Sequence, residues 1–249
     1  SGSGTSIPLA SRASPSLILL TGRESILFDM GPGTLRQLAR IGINHDQISG
    51  IFISHFHPDH TADLIHFLFA TRNPPILEKR APFMVTGPRG LQEFLIKLKK
   101  TYGEWLDIPP EIMDIEELDT RKPEKRIYNN FNIISQPTKH TPHSLAYRME
   151  GENGKSFVYS GDTGFCNEII ELAKGVDLLI LECSFPDDQD VEGHLTPSNA
   201  GRIASLAGVE KLLLIHLYPE VLATDIARQC RNTYAGELII GRDLLHIAV

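Results

Sequence analysis

Ser54-His55-Phe56-His57-Pro58-Asp59-His60 places three histidines and an aspartate within six consecutive positions. Packing alone does not call for such a run, whereas a metal centre does. Gly50-Ile51-Phe52-Ile53 leads into it as an apolar strand, and a helical pattern follows from Ala62 to Arg72. Side chains alternate along an extended segment, so His55 and His57 point the same way and can share one ion. Asp59 and His60 lie past Pro58, where the chain turns, and can face a second ion. Imidazole nitrogen and carboxylate oxygen are donors that suit zinc or manganese.

Strand and helix patterns must bring further donors to this run. Ser16 to Leu20 and Ser25 to Asp29 read as a hairpin about Gly22. Asp29-Met30-Gly31-Pro32-Gly33 then turns into a helix from Thr34 to Ile41, with Thr34 as its cap. A strand (Phe83 to Thr86) and a helix (Arg89 to Lys100) come next, and residues 101–128 read as an irregular excursion rich in Pro, Asp and Glu. Strands are expected at Phe131 to Gln136, Ser144 to Glu150, Ser156 to Ser160, Asp177 to Glu182, Lys211 to Ile215, Glu237 to Ile240 and Leu244 to Ala248. Helices are expected at Asn167 to Lys174, Pro197 to Gly208 and Val221 to Cys230. Strands in runs with helices between them fit two mixed sheets packed face to face with helices outside, an α/β fold of the αββα sandwich type. No linker divides residues 1–249, which read as one domain.

The 249 residues can bury a sizeable core. A formal net charge of −7 argues against broad, non-specific nucleic-acid binding. It leaves a nucleotide substrate open, because bound cations reverse the local charge. No apolar run approaches membrane-spanning length and no signal-peptide pattern opens the sequence. Cys166, Cys183 and Cys230 form no Cys-x-x-Cys pair, so a reducing cytoplasm is the expected compartment. The basic clusters Lys97/Lys99/Lys100 and Arg121 to Arg126 read as solvated surface.

His-x-His-x-Asp-His after a hydrophobic strand resembles the signature of the metallo-β-lactamase superfamily of hydrolases. The resemblance implies the αββα architecture and demands further ligands downstream, each near a strand end. Thr138-Lys139-His140-Thr141-Pro142-His143-Ser144 is similar to the family's His-Thr-Pro-x-Ser motif, which assigns His140 to the ion of His55 and His57. His143 sits where the family usually has a small residue and reads as an exposed turn histidine. Phe157 to Tyr159 runs through Ser160-Gly161 into Asp162, which matches the aspartate that bridges two ions. Leu212 to Ile215 ends in His216, alone a buried core residue, but by resemblance the last ligand of the second ion with Asp59 and His60. A histidine at His57 favours zinc over the iron members of the family, which tend to place a carboxylate there. Asp29 reads equally as a turn-stabilising carboxylate or as a group that orients the ligands by hydrogen bonds.

Leu178 to Phe185, followed by Gly193-His194-Leu195-Thr196-Pro197, resembles the ribonuclease Z-like branch, as do Gly2 to Pro8 and Ser144 to Arg148. The resemblance implies a phosphodiesterase acting on small or single-stranded phosphodiesters with two divalent ions, zinc or else manganese. A water between those ions would be the nucleophile, Asp59 would orient it or take its proton, and His194 would be the general acid. A helix-capping or loop role for His194 is the alternative. Three departures argue against tRNA 3′ processing. The Pro8 segment lacks the usual Lys and Asn, Leu181 stands where the family has histidine, and no long Gly/Pro-rich arm lies between Ser144 and Glu182. Thioester or lactam hydrolysis on the same fold, which would not need His194, is a further alternative. A non-catalytic scaffold is disfavoured because no metal-ligand position is lost. The apolar helix stretch Leu64-Ile65-His66-Phe67-Leu68-Phe69 reads either as core or as a homodimer surface.

Overall fold

Successive side chains of a strand point to opposite faces of its sheet, and here both faces are apolar. In the computed structural model, which describes residues 2–249, Ile26 and Phe28 enter one buried cluster while Leu27 between them enters another. Leu178 and Ile180 face the same shared cluster, and Leu179 and Leu181 face a third. Three apolar layers require four structural ones, in the order helices, sheet, sheet, helices.

The first sheet holds β1 (Leu17–Leu20), β2 (Ser25–Phe28), β3 (Gly50–Phe52), β4 (Phe83–Pro88) and β5 (Met113–Leu118), in that spatial order. β1 and β2 form an antiparallel hairpin, and β2 to β5 run parallel. The second sheet holds β6 (Glu124–Ile127), β7 (Phe131–Pro137), β8 (Leu145–Gly151), β9 (Ser156–Tyr159), β10 (Leu178–Glu182), β11 (Lys211–Ile215) and β12 (Glu237–Ile240). Its first four strands are antiparallel neighbours, and β9 to β12 are parallel. Helices α1 (Thr34–Arg40), α2 (Pro58–Thr71), α3 (Pro74–Leu77) and α4 (Leu91–Tyr102) cover the first sheet. Helices α5 (Asn167–Ala173), α6 (Pro197–Ala207), α7 (Pro219–Leu222) and α8 (Ile226–Arg231) cover the second.

Aromatic rings weld the two sheets. Phe28 stacks on Phe52 at 5.3 Å between ring centres and meets Phe157 of the opposite sheet edge-on at 5.4 Å. Phe28 is fully buried, so Phe28→Ala is expected to cost about 3–5 kcal/mol. A urea titration checks this as a lower midpoint with an unchanged slope; a midpoint that does not move would mean the sheets are held elsewhere.

Five expectations need correction. The stretch 101–128 is not an irregular excursion, because it contributes β5 to one sheet and β6 to the other. Both are edge strands, and their charged sequences, Met-Asp-Ile-Glu-Glu-Leu and Glu-Lys-Arg-Ile, are what solvent-facing edges tolerate. Helix α2 begins at Pro58, where a proline at the first position loses no hydrogen bond, so Asp59 and His60 stand on its first turn. Thr34 is not the cap of α1; Gly33 is, with a left-handed φ of 95°. Val221 to Cys230 breaks into α7 and α8 because the Asp225 side chain accepts from Arg228 N and starts a new helix, while Leu244 to Ala248 forms no strand. Of the apolar stretch in α2, Leu64, Phe67 and Leu68 are core, and Phe69 remains exposed.

Candidate metal centre

The parallel strands of both sheets end at one rim, and each candidate donor sits just beyond a strand end or on the helix turn that follows. His55 and His57 follow β3, His140 follows β7, Asp162 follows β9 and His216 follows β11. Asp59 and His60 enter from the first turn of α2. Donor atoms of His55, His57, His140 and Asp162 lie within 4.8 Å of one another, as do those of Asp59, His60 and His216. All seven side chains read from the sequence as ligands therefore converge.

Asp162 stands between the two groups with its oxygens divided. Its Oδ2 is 3.8 Å from His55 Nε2 and 3.7 Å from His140 Nε2. Its Oδ1 is 3.3 Å from His60 Nε2 and 3.4 Å from His216 Nε2. Asp59 Oδ2 completes the second group, 3.5 Å from His216 Nε2 and 3.8 Å from His60 Nε2. In the first group His57 Nδ1 and His140 Nε2 face each other at 3.2 Å. Gly161 allows this placement: its φ is 57°, and a Cβ there would meet the Ser54 Cβ at 2.6 Å.

The donors fit cations by what they lack. His55 Nε2, His60 Nε2, His216 Nε2 and Asp162 Oδ1 are buried with no hydrogen-bond partner. Buried polar atoms are otherwise almost always paired, and these four turn towards the two gaps that divalent ions would fill.

The opposite ring nitrogens are all anchored except one, and two buried carboxylates do most of the anchoring. Asp29, at a left-handed φ of 59° after β2, accepts from Ser54 N, Ser54 Oγ, His60 Nδ1 and Tyr159 Oη, each at 2.7 Å. Since Ser54 Oγ donates to Asp29, it accepts from His55 Nδ1 at 3.0 Å. Glu182, at the end of β10, repeats the scheme in the other sheet. It accepts from His194 Nδ1 at 2.8 Å and from Ser184 Oγ at 2.7 Å, and that hydroxyl accepts from His216 Nδ1 at 2.9 Å. Thr163 N and Leu195 N supply the remaining bonds to Glu182. His140 Nδ1 donates to the Gly193 carbonyl at 3.0 Å. Such partners fix both the tautomer and the plane of an imidazole.

Charge follows from these surroundings. Burial, with His60 and other imidazoles close by, holds the His55 imidazole well below its usual range despite Asp162. Burial also opposes charge on His60, but Asp162 and Asp29 on either side outweigh it, so its proton is held well above the usual range. A cation between His60 and Asp162 has to displace that proton. Burial would raise the Asp59 carboxyl, yet His216 and His60 lower it. His194 is pulled down by burial and pushed up more strongly by its bond to Glu182 and by the charges of Glu182, Asp162 and Asp59, ending above the ordinary histidine value.

His194 is not a helix cap, because Thr196 fills that position on α6. Its ring centre lies 4.9 Å from that of His140 and 5.9 Å from that of His216. His143 stays outside the cluster, exposed, with Nδ1 donating to the Arg89 carbonyl at 2.9 Å. Asp29 proves to be the orienting carboxylate. Glu182, Ser54, Ser184 and Tyr159 escaped the sequence reading; the one signal was Glu182 itself, a carboxylate closing the apolar run Leu178 to Leu181.

Residues 24–217 match the beta-lactamase superfamily domain. Over its whole length the chain is 29% identical to a ribonuclease Z of Mycobacterium marinum, covering 96% of that protein. The metallo-β-lactamase fold protein YhfI from Bacillus subtilis superposes with a TM-score of 0.83 at 25% identity, over 97% of this chain and 95% of that one. Human tRNase Z, short form, shares the fold with a TM-score of 0.80 at 23% identity, over 99% of this chain and 96% of that one. Four layers, a rim of imidazoles and carboxylates, and the domain match together make this chain a member of the beta-lactamase superfamily, a hydrolase of the metallo-β-lactamase fold.

Proposed function

We propose that this hydrolase cleaves phosphodiester bonds of small or single-stranded nucleic-acid substrates with two divalent ions, zinc before manganese. His55, His57, His140 and Asp162 would hold one ion, and Asp59, His60, His216 and Asp162 the other. The observation that carries the choice of bond is His194, held by a buried carboxylate beside both ligand groups. A phosphodiester expels a poor alkoxide that needs a proton, and a histidine above its ordinary value keeps one to give.

Two bound ions would neutralise charge on the phosphoryl oxygens and acidify water between them. The chain's own groups supply the rest. Asp59 keeps its carboxylate and would orient the attacking water or take its proton. Glu182 holds His194 Nδ1–H, which leaves Nε2–H to be given to the departing oxygen. Tyr159 and Ser54 keep Asp29 saturated, so His60 does not turn away from the site.

Likeness to the Mycobacterium marinum ribonuclease Z and to human tRNase Z favours a second reading, tRNA 3′ processing. The Pro8 segment, Pro-Leu-Ala-Ser-Arg-Ala, which lacks the Lys and Asn implied by a resemblance to the tRNA enzymes, weighs against it. We read the chain as one domain because both sheets share a core and the site is built across them. Three free cysteines suit a reducing cytoplasm, and no helix among the described residues is long and apolar enough to cross a membrane. Exposed Phe69, with Trp105 at 6.0 Å, suits the contact of a homodimer.

Protein loaded with zinc or manganese is expected to hydrolyse bis(p-nitrophenyl) phosphate and single-stranded dinucleotides, and neither a lactam nor a thioester. Turnover of a lactam or thioester alone, with both ions bound, would overturn the reading. Cleavage of a tRNA precursor at its 3′ end would select the second.

A further inference from the structure

Beside the candidate metal centre lies a cavity of about 610 Å³, within the range of sites that enclose a small ligand. Asp59 and Pro58 form its inner edge, α1 forms one wall through Arg36, and the loop from Ser6 to Ser14 forms another. Leu9, Ala10 and Pro32 give it an apolar surface. The walls are tied together by Asp243, whose carboxylate accepts from Ser3 N at 3.0 Å, Ser3 Oγ at 2.8 Å and Ala13 N at 2.7 Å, and also from Gln37 Nε2 of α1. The cavity is therefore preformed.

Three arginines reach it in a chain of net charge −7. Arg12 is committed, donating to Ser3 Oγ at 2.6 Å and to the Gly241 carbonyl at 2.7 Å. Arg40 donates to Gln37 Oε1 at 2.9 Å. Arg36 is exposed and makes no hydrogen bond or ion pair among the described residues. A free guanidinium that shares a cavity with Asp59 is suited to an anion carried close to the reacting group, and its planar fork matches a phosphate.

We infer that this cavity binds the nucleotide adjoining the scissile bond, with Arg36 on that nucleotide's second, terminal phosphate and the Leu9–Ala10 surface against its sugar or base. The inference rests on the phosphodiesterase reading and narrows it: the preferred substrate is an oligonucleotide end that bears a phosphate, not an isolated diester.

Calorimetric titration of zinc-loaded protein with dithymidine joined by a non-hydrolysable methylenephosphonate tests this, using the forms with no terminal phosphate, a 5′-phosphate and a 3′-phosphate. One phosphorylated form is expected to bind wild type about tenfold more tightly than the unphosphorylated one. Arg36→Gln is expected to bring that preference within about twofold, and Arg36→Lys to keep part of it. Arg36 is exposed and unpaired, so these variants keep the fold. No preference in wild type, or an undiminished one in Arg36→Gln, overturns the inference. Hydrolysis of native dithymidine phosphodiester is followed separately. A phosphate preference without any hydrolysis would overturn the phosphodiesterase reading and leave the cavity's ligand class standing.

Discussion

Asp162→Asn is expected to lower phosphodiester turnover by about three orders of magnitude and to leave the protein with fewer than two bound ions. The size follows from several kcal/mol of charge stabilisation by a dinuclear centre, at about 1.4 kcal/mol per factor of ten. A carboxylate has two acceptor oxygens, and those of Asp162 are divided between the His55/His140 pair and the His60/His216 pair. An amide keeps the shape but turns one of these faces into a donor. One group of imidazoles would then meet an N–H where it needs an anion. Metal content by emission spectrometry and kcat on bis(p-nitrophenyl) phosphate check the two halves of the result. Two ions retained at near wild-type turnover would show that Asp162 does not bridge.

The second large effect is one of discrimination. His194→Ala is expected to lose about 10²–10⁴-fold on nucleoside phosphodiesters, the range of a well-placed general acid. The loss should be far smaller on p-nitrophenyl esters, whose leaving group departs as a stable anion. Plotting log kcat/KM against leaving-group pKa for a series of diesters checks this: the variant's line should be steeper than that of wild type. Equal losses along the whole series would assign His194 to positioning the site and not to proton transfer. Glu182 complicates any attempt to test the acid through its partner, because it also reaches His216 through Ser184. A change at Glu182 would disturb ligand and acid together.

How much of this could be read beforehand differs between ligands and supports. The run from His55 to His60 stood out by its density of histidines, whereas His140, Asp162 and His216, each just past a strand, were assigned as ligands only by resemblance to the family's motifs. Supports were hidden because their meaning is spatial. Nothing near Tyr159 in the sequence says that its hydroxyl meets Asp29, 130 positions earlier. Ser54 and Ser184 are ordinary serines until each is seen between a carboxylate and an imidazole. The sheets were legible where both faces are apolar, as in β10 and β11. They were missed where one face meets water: β5 and β6 carry charges that read as loop, because an edge strand has little to bury. The opposite error at Leu244 to Ala248 has the same root, since apolar residues there pack against the shared core without a pairing strand.

The paired anchoring by Asp29 and Glu182 also decides when the ordering of the site is settled. Ring planes of His55, His60, His140 and His216 are set by hydrogen bonds that form as the chain folds. Freezing a side chain costs on the order of 0.5–1.5 kcal/mol, and for these four rings that cost is met before any cation arrives. Affinity is therefore not diminished by it, and the centre behaves as a rigid receptor. Among the described residues His57 is the exception: it is exposed, and the only polar contact of its ring is with His140. Its ring has no hydrogen bond to a backbone group or to either buried carboxylate, so a cation held by His55, His57 and His140 would meet two fixed rings and one that can still turn.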